Sequence, residues 1–216
     1  MTSFKVVSEG PQKKLQKQSG VLSNKLWKLD WSRFLPMKLN NHSHALEEGS
    51  FLAFLDFFNS YFSEDYAEST PDFFVGENPL AKKEFYEEIG DFFIFRKERE
   101  IMGAAVFNPS DWNTYYLRSI LIRKEYRGLG YFQYLIEFVL KKLESVGVGR
   151  VEAQIAPANA LSLHVLIKFG FVVSGLSNSE RWGSLVHLTR FLNRGNEKVF
   201  LNKFNFGSFP KKSDPI

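Results

Sequence analysis

The sequence predicts an α/β fold of the α+β kind: a central mixed, mostly antiparallel sheet of about six or seven strands flanked by helices. Three observations predict it. Apolar runs at 91–97, 101–108 and 114–122, separated by turn-forming residues, mark three strands joined as antiparallel hairpins. A helical period at 132–144, with Leu135, Ile136, Val139, Leu140 and Leu143 on one side, lies between the last of these and a strand at 151–156. Such a strand–helix–strand unit makes its two strands parallel through a right-handed crossover. A second, shorter helix starts near Asn159 and is closed by Gly170.

Taken in order, residues 1–30 read as an extension, with a short strand at 4–7 and a polar, weakly ordered stretch at 12–20. The main domain is expected over 31–192 and opens with a strand at 34–39. Residues 44–62 carry Leu46, Phe51, Leu52, Leu55, Phe58 and Tyr61 at helical spacing, which predicts a helix. Residues 64–78, with Pro71 and Gly76, read as a loop, and 79–89 as a short helix entered through Pro79. Beyond the crossover and the Asn159 helix, the sequence predicts a strand at 171–174, a charged turn at 177–182 and a last strand at 184–192. Residues 193–216 form a tail. Phe191, Phe200, Phe204, Phe206 and Phe209 make the region apolar enough to pack on the body or on a second subunit, so a homodimer stays open.

Composition narrows the chemistry. The absence of Cys excludes a disulfide framework, a thiolate metal site and a Cys nucleophile. His42 and His44 have no third ligand at suitable spacing, so no metal site is expected. No apolar run approaches a membrane span, and the first ten residues lack the apolar stretch of a secretory signal; a soluble cytoplasmic protein is expected, with no membrane partner. The net charge of +4 divides into +5 over residues 1–28, +4 over 190–216 and −5 between them. Lysine-bearing ends of this kind are ordinarily solvated, so nucleic acid is not expected as a partner. The 23 Phe residues read mainly as core, with an apolar acyl or substrate pocket as the alternative.

The most informative segment is Arg127-Gly-Leu-Gly-Tyr-Phe132, where the apolar strand ends in a glycine-containing turn immediately before a helix. The N-terminus of a helix has unpaired N–H donors and partial positive charge, so it seats phosphate. Gly128 and Gly130 let backbone approach an anion closely. Twenty-nine residues after Gly130 comes Asn159, followed by Ser162, Lys168, Gly170 and Phe171. Together, in this order and separation, the two segments resemble the motifs of the GNAT superfamily of acyl-CoA-dependent N-acyltransferases, Arg/Gln-x-x-Gly-x-Gly/Ala and Asn-x-x-Ser/Ala before a helix ending in Lys-Leu-Gly-Phe. The resemblance covers about residues 34–192.

The resemblance implies a V-shaped splay between two central parallel strands. It implies acetyl-CoA or another acyl-CoA as co-substrate, with no metal. Backbone N–H groups from Arg127, Gly128, Leu129, Gly130, Tyr131 and Phe132 would face the pyrophosphate. The pantetheine arm would pair with backbone near Ile120, Leu121 and Ile122, where an N–H could also stabilise an oxyanion. Asn159, with Ser162 nearby, would bond the pantetheine, a role compatible with capping the helix. Two positions depart from the family: Phe132 replaces a small residue, and Leu166 stands where a Tyr usually protonates the leaving thiolate. Leu166 cannot donate a proton, although CoA thiolate leaves readily and solvent can protonate it.

The residues offer Glu152 and His164 as candidate proton acceptors, each with an ordinary surface role as its alternative, and His187 as a further one. Tyr131 and Tyr134 could be displaced proton donors, but packing or surface roles are the better explanation. Arg118 and Tyr116, on one face of a strand, either read an acidic substrate group or pair with a neighbouring Asp or Glu. The activity implied is acyl transfer, with acetyl the first choice, to the amine of a small molecule or peptide by direct attack in a ternary complex. The alternatives are a non-catalytic CoA-binding regulatory module and a transferase using longer acyl donors, its tunnel lined by the Phe-rich helix. Substrate choice would lie in segments without a motif.

Overall fold

A computed structural model describes residues 29–39, 43–61, 84, 86–179 and 182–203. Eight strands form one sheet: β1 (Met37–Lys38), β2 (His44–Glu48), β3 (Asp91–Lys97), β4 (Glu100–Pro109), β5 (Thr114–Ile122), β6 (Arg150–Ile155), β7 (Val172–Ser179) and β8 (Gly183–Phe191). They lie in the order β1-β2-β3-β4-β5-β6-β8-β7, antiparallel except for the β5–β6 pair. Among the described residues they are accompanied by α1 (Phe51–Tyr61), α2 (Tyr131–Ser145), α3 (Ala160–Lys168) and α4 (Arg194–Lys203). No helix among the described residues is long and apolar enough to cross a membrane.

The feature that shapes the site is the end of the parallel pairing. β5 and β6 pair from Thr114↔Arg150 to Leu117↔Ala153, and no further. At that point the β4–β5 register slips: Phe107 faces Leu117 but Val106 faces Ser119, so Arg118 is an extra residue on β5. A bulge of this kind bends its strand and reverses the side-chain alternation. Leu117 accordingly packs into the main core, as does Ile120, while Leu121 turns to the other face beside α1. β5 therefore leaves β6 and opens the fork expected from the resemblance.

The two faces of the sheet differ. On one, α2 packs through Leu135, Ile136, Val139 and Leu143 and α3 through Leu166 against Phe93, Phe95, Phe107, Leu117, Val151, Ala153 and Leu188, all buried. Burying each large aliphatic side chain contributes about 1.5–3 kcal/mol. On the other, α1 covers β3, β4 and the end of β5, burying Phe57 against Ile94, Ala104 and Leu121.

Several boundaries differ from the sequence reading. Residues 44–62 are not one helix: 44–48 form β2 and the helix begins at Phe51. His44 and Leu46 are buried at a period of two, and Leu46 pairs with Phe95. Two apolar positions cannot distinguish that period from a helical one, so long-range pairing decided the matter. The strand expected at 34–39 shrinks to Met37–Lys38 after a 3-10 turn at Trp31–Arg33, because Pro36 has no N–H for a ladder. β7 runs to Ser179 and absorbs the start of the expected turn, its polar side chains bonded to β8 through Ser184 Oγ to Asn178 Oδ1 at 2.9 Å. The tail opens with α4, begun by Asn193, whose Oδ1 accepts from Gly195 N at 2.8 Å, and Phe200 lies 5.1 Å from Phe191 between ring centres. Residues 84 and 86–89 are helical, as expected. The readings at 4–7, 12–20, 64–78 and 79–83, and those on His42, Phe204, Phe206 and Phe209, lie outside the described residues.

Candidate active site

The turn between β5 and α2 is built from two left-handed glycines, Gly128 at φ 78° and Gly130 at φ 83°. An added Cβ on Gly128 would meet nothing within 4 Å, so backbone conformation, not crowding, calls for glycine there. Gly130 occupies the cap position of α2, and no side chain caps that end. The first intrahelical bond runs from Tyr134 N to Gly130 O at 3.0 Å, which leaves the N–H groups of Tyr131, Phe132 and Gln133 without intrahelical acceptors. The donors are those an anion needs, and the residues fit a diphosphate.

Side chains around the turn are engaged elsewhere. Arg127 Nε donates to Ile122 O at 2.9 Å, tying the turn back to β5. Phe132 packs against the main core, so its bulk leaves the turn unobstructed. Tyr131 is buried, stacks on Phe95 and shares a hydrogen bond with Nδ1 of His44, while Tyr134 packs partly into the core. Leu129 is exposed. Along the open part of β5, Arg123 N bonds Met102 O at 3.0 Å. Backbone groups alternate sides along a strand, so those of Ile120 and Ile122 point away from β4 into the fork.

Across the fork, on the face that α1 leaves uncovered, lies a polar cavity of about 70 Å³ lined by Tyr116, Glu152, Gln154, Ser174, His187 and Thr189, with Ala153 and Leu188. Strand register assembles it: Tyr116 pairs with Glu152, Glu152 with Thr189 and Gln154 with His187. Ser174 is the extra residue of a bulge in β7 and accepts a hydrogen bond from Thr189 Oγ1 at 2.8 Å. His187 Nε2 shares a hydrogen bond with Ser177 Oγ at 2.6 Å. Glu152 Oε1 lies 3.0 Å from Arg150 Nε, with a side chain 36% exposed, so its carboxylate is positioned yet reachable. Burial, with help from Glu152 and Tyr86 and against the pull of Arg118, holds the Tyr116 phenol above its usual pKa, so it stays a proton donor.

The candidates thus separate. Glu152 and His187 meet in the cavity; His164 is exposed on α3 and lines no part of it. Asn159 caps α3, its Oδ1 accepting from Ser162 N at 3.2 Å. Leu166 is 1% exposed in the main core. Arg118 pairs with no Asp or Glu among the described residues; it bonds Asn108 and stacks with tyrosines. The sequence reading gave no catalytic part to Tyr116, Ser174, Ser177 or Thr189. The one available signal was the polar character of alternate positions on 116–118, 152–154 and 187–189. No group of three His, Cys, Asp or Glu among the described residues could hold a metal ion.

A model of the acetyltransferase (GNAT) family matches residues 45–171. No curated protein sequence matches closely enough to count as a relative. Among solved structures, an N-acetyltransferase from Staphylococcus aureus Mu50 superposes with a TM-score of 0.56 at 16% identity, over 69% of this chain and 99% of that one. The yncA protein of Salmonella typhimurium, solved with its cofactor acetyl-CoA, gives 0.54 at 16%, over 70% and 95%. The spermidine/spermine N-acetyltransferase SpeG from Vibrio cholerae, solved with manganese ions, gives 0.53 at 16%, over 73% and 98%. At these identities the likeness is one of fold.

Proposed function

Because this chain belongs to the GNAT acetyltransferase family, we propose that it transfers an acyl group, acetyl in the first instance, from acyl-CoA to an amine by direct attack in a ternary complex. One observation carries the reading: the fork beyond Leu117↔Ala153 has uncapped helix donors at its outer end and a polar cavity beside its apex. The N–H groups from Gly128 to Phe132 hold the diphosphate. The backbone of Ile120 and Ile122 takes the pantetheine arm, and the Asn159 amide, whose Oδ1 alone serves the cap, contributes from α3. Acyl-CoA supplies the acyl group as a thioester, and a new C–N bond replaces its C–S bond.

Glu152 takes the amine proton directly or through water, with His187 beside it as the second acceptor. Tyr116 is the phenol that the cavity offers in place of the one missing at Leu166. Acetyl is favoured over longer acyl groups because the Phe-rich helix is spent on packing. Phe54 and Phe51 pack their rings on Phe92, with centres 5.9 and 6.0 Å apart, and Phe57 is 3% exposed. The structure of yncA with acetyl-CoA supports the same choice of donor.

Thermal-shift titration with acetyl-CoA, CoA and longer acyl-CoAs tests this, because a ligand that binds only the native state raises Tm by mass action. Acetyl-CoA should stabilise the wild type, and Gly130→Trp should remain folded and lose the shift. A folded wild type that responds to no CoA species refutes the reading.

A further inference from the structure

Arg118 stands at the apex of the fork, held in place without being neutralised. It is the bulge residue one position beyond the last β5–β6 pair. Its Nε donates to Oδ1 of Asn108 at 2.9 Å, and Asn108 is 3% exposed and anchored in turn to Pro109 O. Its Nη1 donates to the Tyr86 hydroxyl at 3.3 Å, and the guanidinium carbon lies 5.3 Å from the Tyr86 ring centre and 5.4 Å from that of Tyr116. Other arginines of the sheet each have a carboxylate: Arg96 has Glu47, Arg123 has Glu100 and Glu125, Arg150 has Asp111 and Glu152, and Arg190 has Glu197. Arg118 has none among the described residues and is exposed.

A guanidinium fixed in orientation through Nε and Nη1, with Nη2 unengaged and no carboxylate partner among the described residues, is suited to an oxygen of a carboxylate anion. The diphosphate is not that anion. Four residues of strand, about 13 Å, separate Arg118 from Ile122, and the α2 donors lie beyond it. The cavity is the nearer neighbour. Tyr116 lines it, with the Arg118 guanidinium against its ring and Glu152 on the residue paired across from it. One phenol is thus flanked by an uncompensated cation and an accessible carboxylate. A small molecule with an ammonium and a carboxylate a few bonds apart complements that pair of charges.

We propose that the acceptor is an amine that also carries a carboxylate, of the amino-acid class, and that Arg118 reads the carboxylate while Glu152 receives the amine. This rests on the acetyl-transfer reading above. A merely structural Arg118, tying the helical residues 86–89 to β5, would not discriminate between acceptors.

The test pairs amino acids with their decarboxylated amines (lysine with cadaverine, arginine with agmatine, tyrosine with tyramine, histidine with histamine) and follows thiol release from acetyl-CoA. The chain has no Cys, so it adds no thiol of its own. The wild type should favour the carboxylated member of at least one pair. Arg118→Gln should lower the kcat/KM ratio within that pair by about 10- to 100-fold, chiefly through KM, the size expected for one lost charge-assisted hydrogen-bonding partner. Arg118→Lys keeps the charge without the planar fork and should lose part of the preference, which carries the test if the Gln variant does not fold. The idea is overturned if decarboxylated amines are the better substrates, if Arg118→Gln depresses both members in parallel, or if a protein stabilised by acetyl-CoA acetylates no carboxylated amine. A protein that acetyl-CoA does not stabilise overturns the acetyl-transfer reading and this one with it.

Discussion

The two faces of the sheet differ in character, one apolar and packed, the other polar and open. The face under α2 and α3 is apolar across five strands, from Phe93 to Leu188. The opposite face, past the edge of α1, carries Tyr116, Glu152, Gln154, His187 and Thr189. The same strands supply both, because alternate residues of β5, β6 and β8 point opposite ways. The helix face can therefore hold the strands in register while the other face keeps polar groups beside solvent. Substitutions on the two faces should accordingly fail in different assays.

The largest effect is expected under α2. Leu135 is fully buried, and Leu135→Ala should cost about 2–5 kcal/mol of unfolding free energy. Urea denaturation checks this, and a loss well under 1 kcal/mol would remove the helix face from its role.

The next effect comes from a carboxylate on the apolar face, Asp91, which accepts a hydrogen bond from buried Tyr115. Burial pushes its carboxyl up from 3.8 to about 6, against the opposing pull of the Tyr115 hydrogen bond. A raised native pKa means that the folded state holds the proton more tightly. The stabilisation is complete below about pH 4 and is lost as pH rises through 6, by about 3 kcal/mol in all. Asp91→Asn should remove that dependence, so its stability relative to wild type should rise between pH 4 and 7. Parallel curves over this range would contradict the assignment.

On the polar face the order of sensitivities reverses. Glu152→Gln should lower kcat by about 100-fold while Tm stays nearly unchanged, as expected for a proton acceptor with a partly exposed side chain. His164→Ala, on the exposed side of α3, provides the control and should leave kcat alone. Equal losses in the two variants would remove the distinction between cavity and surface.

The smallest effect is expected at the capped helix. Asn159→Ala removes the bond to Ser162 N and should cost about 1 kcal/mol. α2 has no side-chain cap to lose. If Asn159 also meets the pantetheine, the variant weakens acetyl-CoA binding by more than its stability loss explains, a split that thermal shift and kinetics together resolve.

Much of this was legible in order along the chain, for local reasons. The strand at 114–122 appears as β5 with those bounds, because a run rich in aromatic and β-branched residues (Tyr115, Tyr116, Ile120 and Ile122) ends at a turn. The helix expected at 132–144 is Tyr131–Ser145, since its apolar period runs for two full repeats. Gly128 and Gly130 marked a tight turn before the helix, and both adopt positive φ. Legibility failed where a short segment satisfied two periods at once, as at His44 and Leu46, or where a polar edge strand read as a turn, as at Ser177–Ser179.

The sequence by itself determined most element types, the glycine turn before α2 and the family, because each rests on local residue patterns. Tertiary structure alone decided which polar residues share a cavity. Tyr116, Glu152, Thr189 and Ser174 are far apart in the chain and meet only through the register of four strands. A shift of one residue in any strand would turn its member toward the helices. It also decided that the β5 bulge falls at Arg118, where bending opens the fork and leaves a guanidinium without a carboxylate partner among the described residues. Those two outcomes depend on long-range pairing, which no local pattern encodes.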